Sequence, residues 1–317
     1  MKDFSQYFKD KKGKSFLTLH QWHPDELDAL LQLARHLKKE RRSESAEQPL
    51  KGKSLAMIFE KPSTRTRISF EVGMKELGGY TLQLGTDELQ LGRGETLEDT
   101  ARILSRYVDA ILIRTHEHAR IQRLADAATI PVINGLSDLA HPCQALADLL
   151  TILEKKGALK GIRLSFIGDG NNVLHSLMHA SALAGIHLQV ATPPGYEPNP
   201  AIMKETEQMM EQTGGKLSFS HDPYVAAREA DVIYTDVWAS MGQEQEKEKR
   251  LQDFSSYQVN AGLMAHAAPD AVFMHCLPAY RGLEVTGDVL DGTQSVVFDQ
   301  AENRLHAQKA LLLALLG

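Results

Sequence analysis

The sequence has few cysteines, less positive than negative charge, and no long apolar run. Two cysteines, Cys143 and Cys276, cannot build a disulfide framework, and the first residues contain no apolar signal core. Because a disulfide framework is ruled out, we expect a reducing, cytoplasmic location, and no hydrophobic stretch is long enough to span a bilayer. With 35 Lys and Arg against 41 Asp and Glu, the formal net charge is −6, which argues against nucleic acid or an acidic membrane surface as the main partner.

What is present is typical of a soluble enzyme with two domains and a cleft: 317 residues, of which 43% are hydrophobic and 24% charged. Short apolar runs alternate with helical patterns, and this alternation predicts parallel sheets with right-handed crossovers. The predicted strands are 55–59, 80–84, 110–113, 131–133, 162–167, 188–190, 217–219, 232–234, 272–274 and 296–298. The charged segment 243–250 is predicted to be solvated, and a final helix is predicted from about Gln300 to Leu316.

The strand count also suits an eight-stranded α/β barrel. Two features favour open sheets instead: a long mid-chain helix at 141–156, and a Gly168-Asp169-Gly170 turn like the first turn of a new nucleotide-type half. The predicted fold class is therefore α/β, with two open parallel-sheet domains that carry helices on both faces and are linked by long helices. We place these domains at 1–148 and 149–295, with a C-terminal helix at 296–317 packing back on the first domain.

The stretch 59–67 has the pattern of an anion site. A buried strand ends at Phe59, Pro62 breaks the chain, and hydroxyl and arginine side chains alternate from Ser63 to Arg67 as a helix begins. Helix N-termini present N–H groups to anions, and an arginine fork binds phosphate through two hydrogen bonds. A capped helix with solvated arginines is the alternative, but the preceding strand and the polar residues downstream favour the anion site.

Polar residues also follow other predicted strands. These residues are Arg114, His141, Gln144, Asn172, Asp236 and Cys276. Ligands of open parallel sheets bind beyond the carboxyl ends of the strands. Each residue alone is weak evidence, because an Asp or Asn after a strand is often only a helix cap. Their repeated position at strand ends predicts a polar active site.

Four motifs, in this order, resemble those of the ornithine carbamoyltransferases, within the aspartate/ornithine carbamoyltransferase superfamily. They are Ser63-Thr64-Arg65-Thr66, His141-Pro142-Cys143-Gln144, Asp236-Val237-Trp238-Ala239-Ser240-Met241-Gly242 and His275-Cys276-Leu277-Pro278. The first two are shared by carbamoyltransferases generally, whereas Ser240-Met241-Gly242 and the last motif point to ornithine. The resemblance runs over nearly the whole chain. It implies a carbamoyl-phosphate-binding first domain and an ornithine-binding second domain.

The resemblance implies that carbamoyl phosphate and L-ornithine give L-citrulline and phosphate, and we expect a role in arginine biosynthesis. The residues that it assigns to carbamoyl phosphate are Ser63, Thr64, Arg65, Thr66, Gln90, Arg114, His141, Gln144, Cys276, Leu277 and Arg304. Among them, Arg114 and His141 polarise the carbamoyl oxygen, and Gln144 binds the carbamoyl nitrogen. Such donors suit the chemistry, because each fixed donor to a tetrahedral oxyanion is worth about 3–4 kcal/mol when deleted.

For ornithine, the resemblance implies that Asp236 pairs with the α-ammonium, while Asn172, Ser240 and the Met241 backbone hold the carboxylate end. Cys276 is expected near the reacting amine, although a buried inert thiol is the ordinary interpretation of a lone cysteine. Cys143 and His275 are interpreted as structural. No cofactor is implied, and no metal site is predicted, since no further ligands lie at a suitable spacing.

The Gly-rich loop around Gln90 crosses, by the same resemblance, to a neighbouring subunit of a homotrimer, where Gln90 completes the phosphate site. A mobile surface loop is the alternative. A carbamoyltransferase for putrescine or N-acetylornithine is the alternative activity. A nicotinamide-dependent dehydrogenase is disfavoured, because Val173 stands where the third fingerprint glycine belongs and no acidic residue follows the next strand. A non-catalytic relative of the same fold finds no support, since the motif positions match.

Overall fold

The computed structural model describes residues 4–41, 43, 47–85, 94–239 and 246–317. It divides into two compact units. The first unit runs to Leu150 and also takes in Glu302–Gly317, whereas the second spans Thr151–Ala301.

The first unit is built on a four-stranded parallel sheet in the order β2-β1-β3-β4. After a 3-10 turn at Ser5–Phe8, its elements are α1 (Pro24–Lys39), β1 (Ser54–Phe59), α2 (Thr64–Glu76), β2 (Tyr80–Gly85), α3 (Leu97–Tyr107), β3 (Ala110–Arg114), α4 (His118–Ala127) and β4 (Val132–Leu136). The helix α5 (Pro142–Lys156) begins in this unit. The chain moves from β1 outward to β2 and then returns past β1 to β3, so right-handed crossovers put α2 on one face and α3 and α4 on the other.

The core of this unit explains why its central strands read as unbroken apolar runs. Ala56 and Ile58 of β1 pack in one buried cluster with Ala101 of α3 and Leu124 of α4. The intervening residue Met57 is equally buried, as expected for a strand covered by helices on both faces. Because the order of strands reverses between β1 and β3, a crevice for ligands is expected at the carboxyl ends of these two strands.

The second unit repeats this plan with a five-stranded parallel sheet in the order β7-β6-β5-β8-β9. Its elements are β5 (Arg163–Ile167), α6 (Asn172–Ala184), β6 (His187–Ala191), α7 (Pro200–Thr213), β7 (Lys216–Ser220), α8 (Pro223–Ala227), β8 (Val232–Thr235), α9 (Lys247–Asp253), a 3-10 turn at Ser255–Tyr257, α10 (Ala261–Met264), β9 (Val272–His275) and α11 (Gly287–Leu290). Here the strand order reverses between β5 and β8, which places the expected crevice at the ends of those strands. The helix α12 (Val297–Leu316) starts in this unit. The predicted α/β class with two open parallel sheets is confirmed.

The prediction of a last strand at 296–298 is wrong. Ser295 forms only an isolated bridge with Phe273 of β9, and α12 begins at Val297, earlier than the predicted start near Gln300. Two β-branched residues followed by Phe have strong strand propensity, but such a preference yields to context. Val297 is buried in the core of the unit while Phe298 is 72% exposed, which fits one turn of helix on the protein surface.

The prediction that 243–250 is a solvated segment is also wrong at its last residue. Arg250 lies in α9 and is only 6% exposed, because its guanidinium pairs with a buried carboxylate of the same unit. Residues 243–245 lie outside the described residues. Within the part of the chain that the structure describes, no helix combines the length and apolarity that a membrane crossing requires.

Candidate active site

The predicted anion turn lies between β1 and α2 of the first unit. Ser63 caps α2, with its Oγ accepting a hydrogen bond from the Thr66 N–H at 3.4 Å. Thr64 is exposed, Arg65 is half-buried and Thr66 is buried, so the turn runs from the surface into the protein. The helix N-terminus, the hydroxyls and the arginine give this turn the donors that an anion requires.

Arg304 of α12 connects this turn to α5 within the first unit. Its Nη2 donates to Thr66 Oγ1 at 3.0 Å, and its Nη1 donates to Gln144 Oε1 at 2.7 Å. In the amide orientation that satisfies both of its polar groups, Gln308 accepts from Arg304 Nε and Nη2, each at 3.0 Å. A guanidinium only donates, so Thr66 Oγ1 is the acceptor here and its own O–H remains a donor for another group.

Gln144 is held at its other end by Asp148, since Gln144 Nε2 donates to Asp148 Oδ1 at 2.8 Å. Both side chains are buried, at 2% and 1% exposure. The hydrogen bonds therefore run from Asp148 through Gln144 and Arg304 to Thr66, joining two motifs that are distant in the sequence.

His141 precedes α5 and is buried. Burial lowers the pKa of its imidazole well below the usual value, and the neighbouring charges of Arg304, Arg114 and Arg65 lower it further. His141 is therefore neutral at physiological pH and can act as a hydrogen-bond donor without a positive charge.

Arg114 lies at the end of β3, where the pairing with β4 shifts register between Ile113 and Arg114. Such irregularities re-aim a side chain at the end of a strand. Arg114 is half-buried, and its charge acts on His141, so both groups belong to the region around the anion turn.

Asp236, after β8, is the centre of the candidate site in the second unit, and it is 4% exposed. Asn171 Nδ2 donates to its Oδ2 at 2.8 Å, and the Cys276 thiol donates to its Oδ1 at 3.1 Å. The Asn171 side-chain oxygen caps α6 by accepting from the N–H groups of Val173 and Leu174. A helix cap and a thiol thus fix both carboxylate oxygens.

A second buried carboxylate, Asp169, accepts a hydrogen bond from Arg250 Nη1 at 3.0 Å. Burial raises the pKa of Asp169 to about 6, opposed by Arg250 and assisted by the neighbouring charges of Asp236 and Glu246. Arg250 Nη1 also donates to the Trp238 carbonyl at 2.9 Å. This ion pair therefore ties the turn after β5 to the chain that follows β8.

A metal is the remaining possibility to test, because ligand atoms of Asp236, His275 and Cys276 lie within 4.8 Å of one another. His275 Nδ1 accepts the Leu277 N–H at 2.9 Å, which puts the ring proton on Nε2, 3.3 Å from Glu284 Oε1. The imidazole lone pair that a metal requires is already used, so this grouping does not fit a three-ligand metal site. These contacts give His275 a structural role.

The structure brings several predicted residues together within each unit. In the first unit these are Ser63, Thr66, Gln144 and Arg304, with the charges of Arg65, Arg114 and Arg304 acting on His141. In the second unit Asp236 contacts Cys276. Asn172 is the first residue of α6, and Leu277 has a left-handed backbone conformation with a φ of 58°. Gln90, Ser240 and Met241 lie outside the described residues.

Sequence reasoning missed several contacts made by the candidate site residues. Asn171, the residue before Asn172, donates to Asp236, and its position before the first turn of α6 was the available signal. Asp148 lies one helical turn after Gln144, a spacing that could have been noticed. Nothing local indicates the pairing of Arg250 with Asp169. Cys143 is buried and its pKa is raised to about 12 by burial, as befits an inert thiol.

Comparison with known proteins gives a consistent result over nearly the whole chain. Residues 14–154 match the aspartate/ornithine carbamoyltransferase carbamoyl-P binding domain, and residues 160–315 match the Asp/Orn binding domain of the same family. An ornithine carbamoyltransferase of Anoxybacillus flavithermus is 58% identical, with 96% of this chain and 97% of the relative covered. An anabolic ornithine carbamoyltransferase of Pyrococcus furiosus is 55% identical, with 96% and 97% covered.

Solved structures agree. The structure of the ornithine carbamoyltransferase from Pyrococcus furiosus superposes with a TM-score of 0.94 at 55% identity, covering 96% of this chain and 98% of that one. The enzyme from Thermus thermophilus gives a TM-score of 0.86 at 46% identity, with 96% and 99% covered. The fold, the two polar strand-end regions and these matches lead to one conclusion: the chain belongs to the aspartate/ornithine carbamoyltransferase family.

Proposed function

We propose that this protein transfers the carbamoyl group of carbamoyl phosphate to the side-chain amine of L-ornithine, giving L-citrulline and phosphate, as a step of arginine biosynthesis. The observation that carries this proposal is the hydrogen-bond chain of the first unit. Arg304 donates both to Thr66 of the anion turn and to Gln144 of the second motif, so two halves of a carbamoyl-phosphate site meet at one guanidinium.

The first unit supplies the groups for carbamoyl phosphate. Ser63, Thr64, Arg65 and Thr66 bind the phosphate, because a helix N-terminus with hydroxyls and a guanidinium satisfies a dianion without a metal. The O–H of Thr66 remains a donor, since its oxygen already accepts from Arg304. The leaving phosphate thereby meets positive charge where its own charge grows.

The carbamoyl oxygen is polarised by Arg114 and His141. Attack by an amine turns this oxygen into an oxyanion, and fixed donors stabilise that charge more than they stabilise the ground state. His141 donates from a neutral ring, since its pKa lies well below the usual value. Gln144 accepts from the carbamoyl NH₂, and the carbonyls of Cys276 and Leu277 are assigned to the same NH₂ by family resemblance.

The second unit supplies the groups for ornithine. Asp236 pairs with the α-ammonium, with its two oxygens fixed by Asn171 and Cys276. Because its thiol donates to this carboxylate at 3.1 Å, Cys276 lies beside the group that binds the α-ammonium and helps to hold Asp236 in place. Asn172, Ser240 and Met241 are assigned to the carboxylate end, the last two from the sequence alone.

Only a neutral amine can attack the carbamoyl carbon. The side-chain amine of ornithine resembles that of lysine, with a free pKa of about 10.4, so only about 0.04% is neutral at pH 7. A desolvated pocket disfavours the ammonium. We therefore expect the apparent KM for ornithine to fall about tenfold per pH unit from about pH 6.5 to 8.5, following this titration.

Norvaline, which has the same backbone groups and no side-chain amine, is the matched control for that experiment. Its inhibition constant, measured over the same pH range, is expected to stay nearly constant. A KM for ornithine that does not change with pH, or a norvaline constant with the same slope, would show that the charged amine binds or that a protein group titrates.

The test of the activity itself is citrulline formation measured with ornithine, putrescine, N-acetylornithine and aspartate side by side. Turnover with ornithine that greatly exceeds the other three supports the proposal. A preference for putrescine or N-acetylornithine would identify a carbamoyltransferase for a related amine. No product with any amine would overturn both.

We propose further that the enzyme acts in the cytoplasm as a homotrimer, with carbamoyl phosphate bound by the first unit and ornithine by the second. Cys143 and Cys276 are thiols and not part of a disulfide, which suits a reducing compartment. The trimer rests on family resemblance, as does the assignment of Gln90 to a neighbour's phosphate site. Sedimentation velocity on the purified chain tests the subunit number, and a monomer with full activity would contradict the assignment of Gln90.

A further inference from the structure

The buried hydrogen bond between Gln144 and Asp148 has an exposed counterpart in the same unit. Gln122 Nε2 donates to Asp126 Oδ1 at 2.8 Å, with the same residue types, spacing and length. Such pairs ordinarily add a few tenths of a kcal/mol to a helix. The pair on α5 differs because both side chains are buried and because Gln144 continues the chain of hydrogen bonds to Arg304.

The partners of Gln144 determine which way its amide faces. Arg304 has only donors, so it must meet the side-chain oxygen, whereas Asp148 Oδ1 accepts a hydrogen bond, so it meets the nitrogen. Each partner alone would favour this orientation, and together they exclude the flipped amide. One lone pair of Gln144 Oε1 is left for a further donor, since a side-chain carbonyl accepts two hydrogen bonds.

We propose that Asp148 is a specificity-determining residue, which, by holding the Gln144 amide in this orientation, selects acyl phosphates that present an NH₂ group over those that present a methyl group. This inference rests on the proposed function for the place of Gln144 beside the carbamoyl nitrogen. Carbamoyl phosphate donates from its NH₂ to the acceptor at Gln144. Acetyl phosphate has a methyl group there, so the second lone pair of the buried Gln144 oxygen receives no donor, which is costly.

The experiment exchanges the acid and the amide and measures the binding of two stable probes by calorimetry. Phosphonoacetamide carries the NH₂ group, and acetonylphosphonate, its methyl-ketone counterpart, carries a methyl in the same position. In Gln144→Glu, two acidic side chains face each other at 144 and 148 with no donor between them, so the acceptor at 144 is no longer held towards the NH₂ group. We expect the affinity for phosphonoacetamide to fall about ten- to hundredfold, the scale of leaving a buried polar group without its partner. The affinity for acetonylphosphonate is expected to change by less than about threefold, because that probe has no NH₂ group to pair with this acceptor.

Adding Asp148→Asn to that variant provides an amide donor for the carboxylate at position 144 and restores the hydrogen bond in reverse. The double variant is expected to recover the preference for phosphonoacetamide, and Asp148→Asn alone, which retains an oxygen acceptor, to stay near wild type. The matched pair Gln122→Glu and Gln122→Glu/Asp126→Asn is expected to change neither affinity. If Gln144→Glu does not fold, Asp148→Leu removes the acceptor at the Gln144 nitrogen, and a smaller loss of affinity for phosphonoacetamide alone is expected, because Arg304 still favours the observed orientation.

Equal loss of both probes in Gln144→Glu, or no recovery in the double variant, would show that Asp148 only stabilises the fold. Equal affinity of the wild type for both probes would also overturn the proposal. Because calorimetry needs no turnover, a wild type that prefers phosphonoacetamide and yet forms no citrulline would leave Asp148 as proposed and reject the function instead.

Discussion

The candidate sites of the two units both lie at the carboxyl ends of parallel strands, but one gathers positive charge and the other negative charge. In the first unit burial lowers the pKa of His141, and the charges of Arg304, Arg114 and Arg65 lower it further. In the second unit Asp236 and Asp169 lie close enough for one charge to affect the other, and the pKa of Asp169 is raised to about 6. Burial drives each group towards its neutral form, and neighbours of like charge add to that effect in both units.

The difference between the units lies in how the excess charge is compensated. Around His141 the positive charges act together, which suits a region that receives an anionic ligand. Asp169 instead has its own internal cation, Arg250, while Asp236 is held by the Asn171 amide and the Cys276 thiol. We infer that Asp236 is the carboxylate left to pair with a cationic ligand. Substitutions in each unit test this contrast.

The largest effect is expected from Arg250→Met. This change leaves Asp169 buried without its ion-pair partner, and breaking a buried pair typically costs about 3–5 kcal/mol. Urea denaturation of wild type and variant measures the loss. Adding Asp169→Asn removes the unpaired carboxylate and should recover part of the lost stability. A double variant no more stable than Arg250→Met would show that Arg250 acts through packing, for instance on the Tyr196 ring, whose centroid lies 4.8 Å from the Arg250 Cζ.

The ion pair also shows where sequence reasoning ends. The central strands of both sheets could be predicted because buried parallel strands are continuous apolar runs, and the anion turn because its groups are contiguous from Ser63 to Thr66. Arg250 lies in a charged run whose local pattern is that of a solvated surface, and its partner is far away in the sequence. Tertiary contacts of this kind leave no periodic signal.

The contacts of Arg304 illustrate the same limit in the first unit. The resemblance assigned Arg304 to carbamoyl phosphate, but not its bonds to Thr66, Gln144 and Gln308. The strand predicted at 296–298 was wrong for the opposite reason: the local sequence has a clear strand propensity, but the tertiary structure places these residues at the start of a helix. Local chemistry was therefore predictable, and the connections between distant segments were not.

The next largest effect is expected from Asp236→Asn. Losing the charged partner of a desolvated ammonium costs about 2–5 kcal/mol, so kcat/KM for ornithine should fall by about 30-fold or more. The affinity for phosphonoacetamide should be spared, because that probe carries no ammonium. Calorimetry and steady-state kinetics check both halves of the statement, with Asp291→Asn on the surface as the control. A large loss of phosphonoacetamide affinity would move Asp236 out of the ornithine pocket.

A smaller effect, on carbamoyl phosphate instead of ornithine, is expected from Arg65→Lys. Lysine keeps the charge and loses the planar fork, so we expect kcat/KM for carbamoyl phosphate to fall by about 10- to 100-fold, equivalent to about 1.5–3 kcal/mol, with normal folding. The KM for ornithine should change little. Arg102→Lys, an exposed arginine of the same unit, is the control. Near wild-type kinetics in Arg65→Lys would place the phosphate elsewhere.

The smallest effect concerns pH and the sign of the two shifts. The pKa of Asp169 is about 6 in the folded state and 3.8 in the unfolded state. Between pH 3.8 and pH 6 the folded protein therefore keeps a proton on Asp169 that the unfolded protein has lost. Its stabilising contribution is full below pH 3.8 and is lost as the pH rises through 6. The lowered pKa of His141 acts the other way, because stability is lost as the pH falls below 6.5.

Comparing wild type with Asp169→Asn separates the two contributions, since His141 is common to both. Between about pH 5 and pH 7.5 the free energy of unfolding of the wild type should fall by about 1 kcal/mol relative to that of the variant, because only the wild type has the titrating carboxylate. A constant difference in stability between the two proteins does not affect this comparison. Urea denaturation at several pH values measures this difference. His141→Asn should change the pH dependence with the opposite sign, reducing the loss of stability on the acid side. Parallel curves for wild type and Asp169→Asn would mean that Arg250 keeps Asp169 ionised throughout, and the contrast between the two units would then rest on His141 alone.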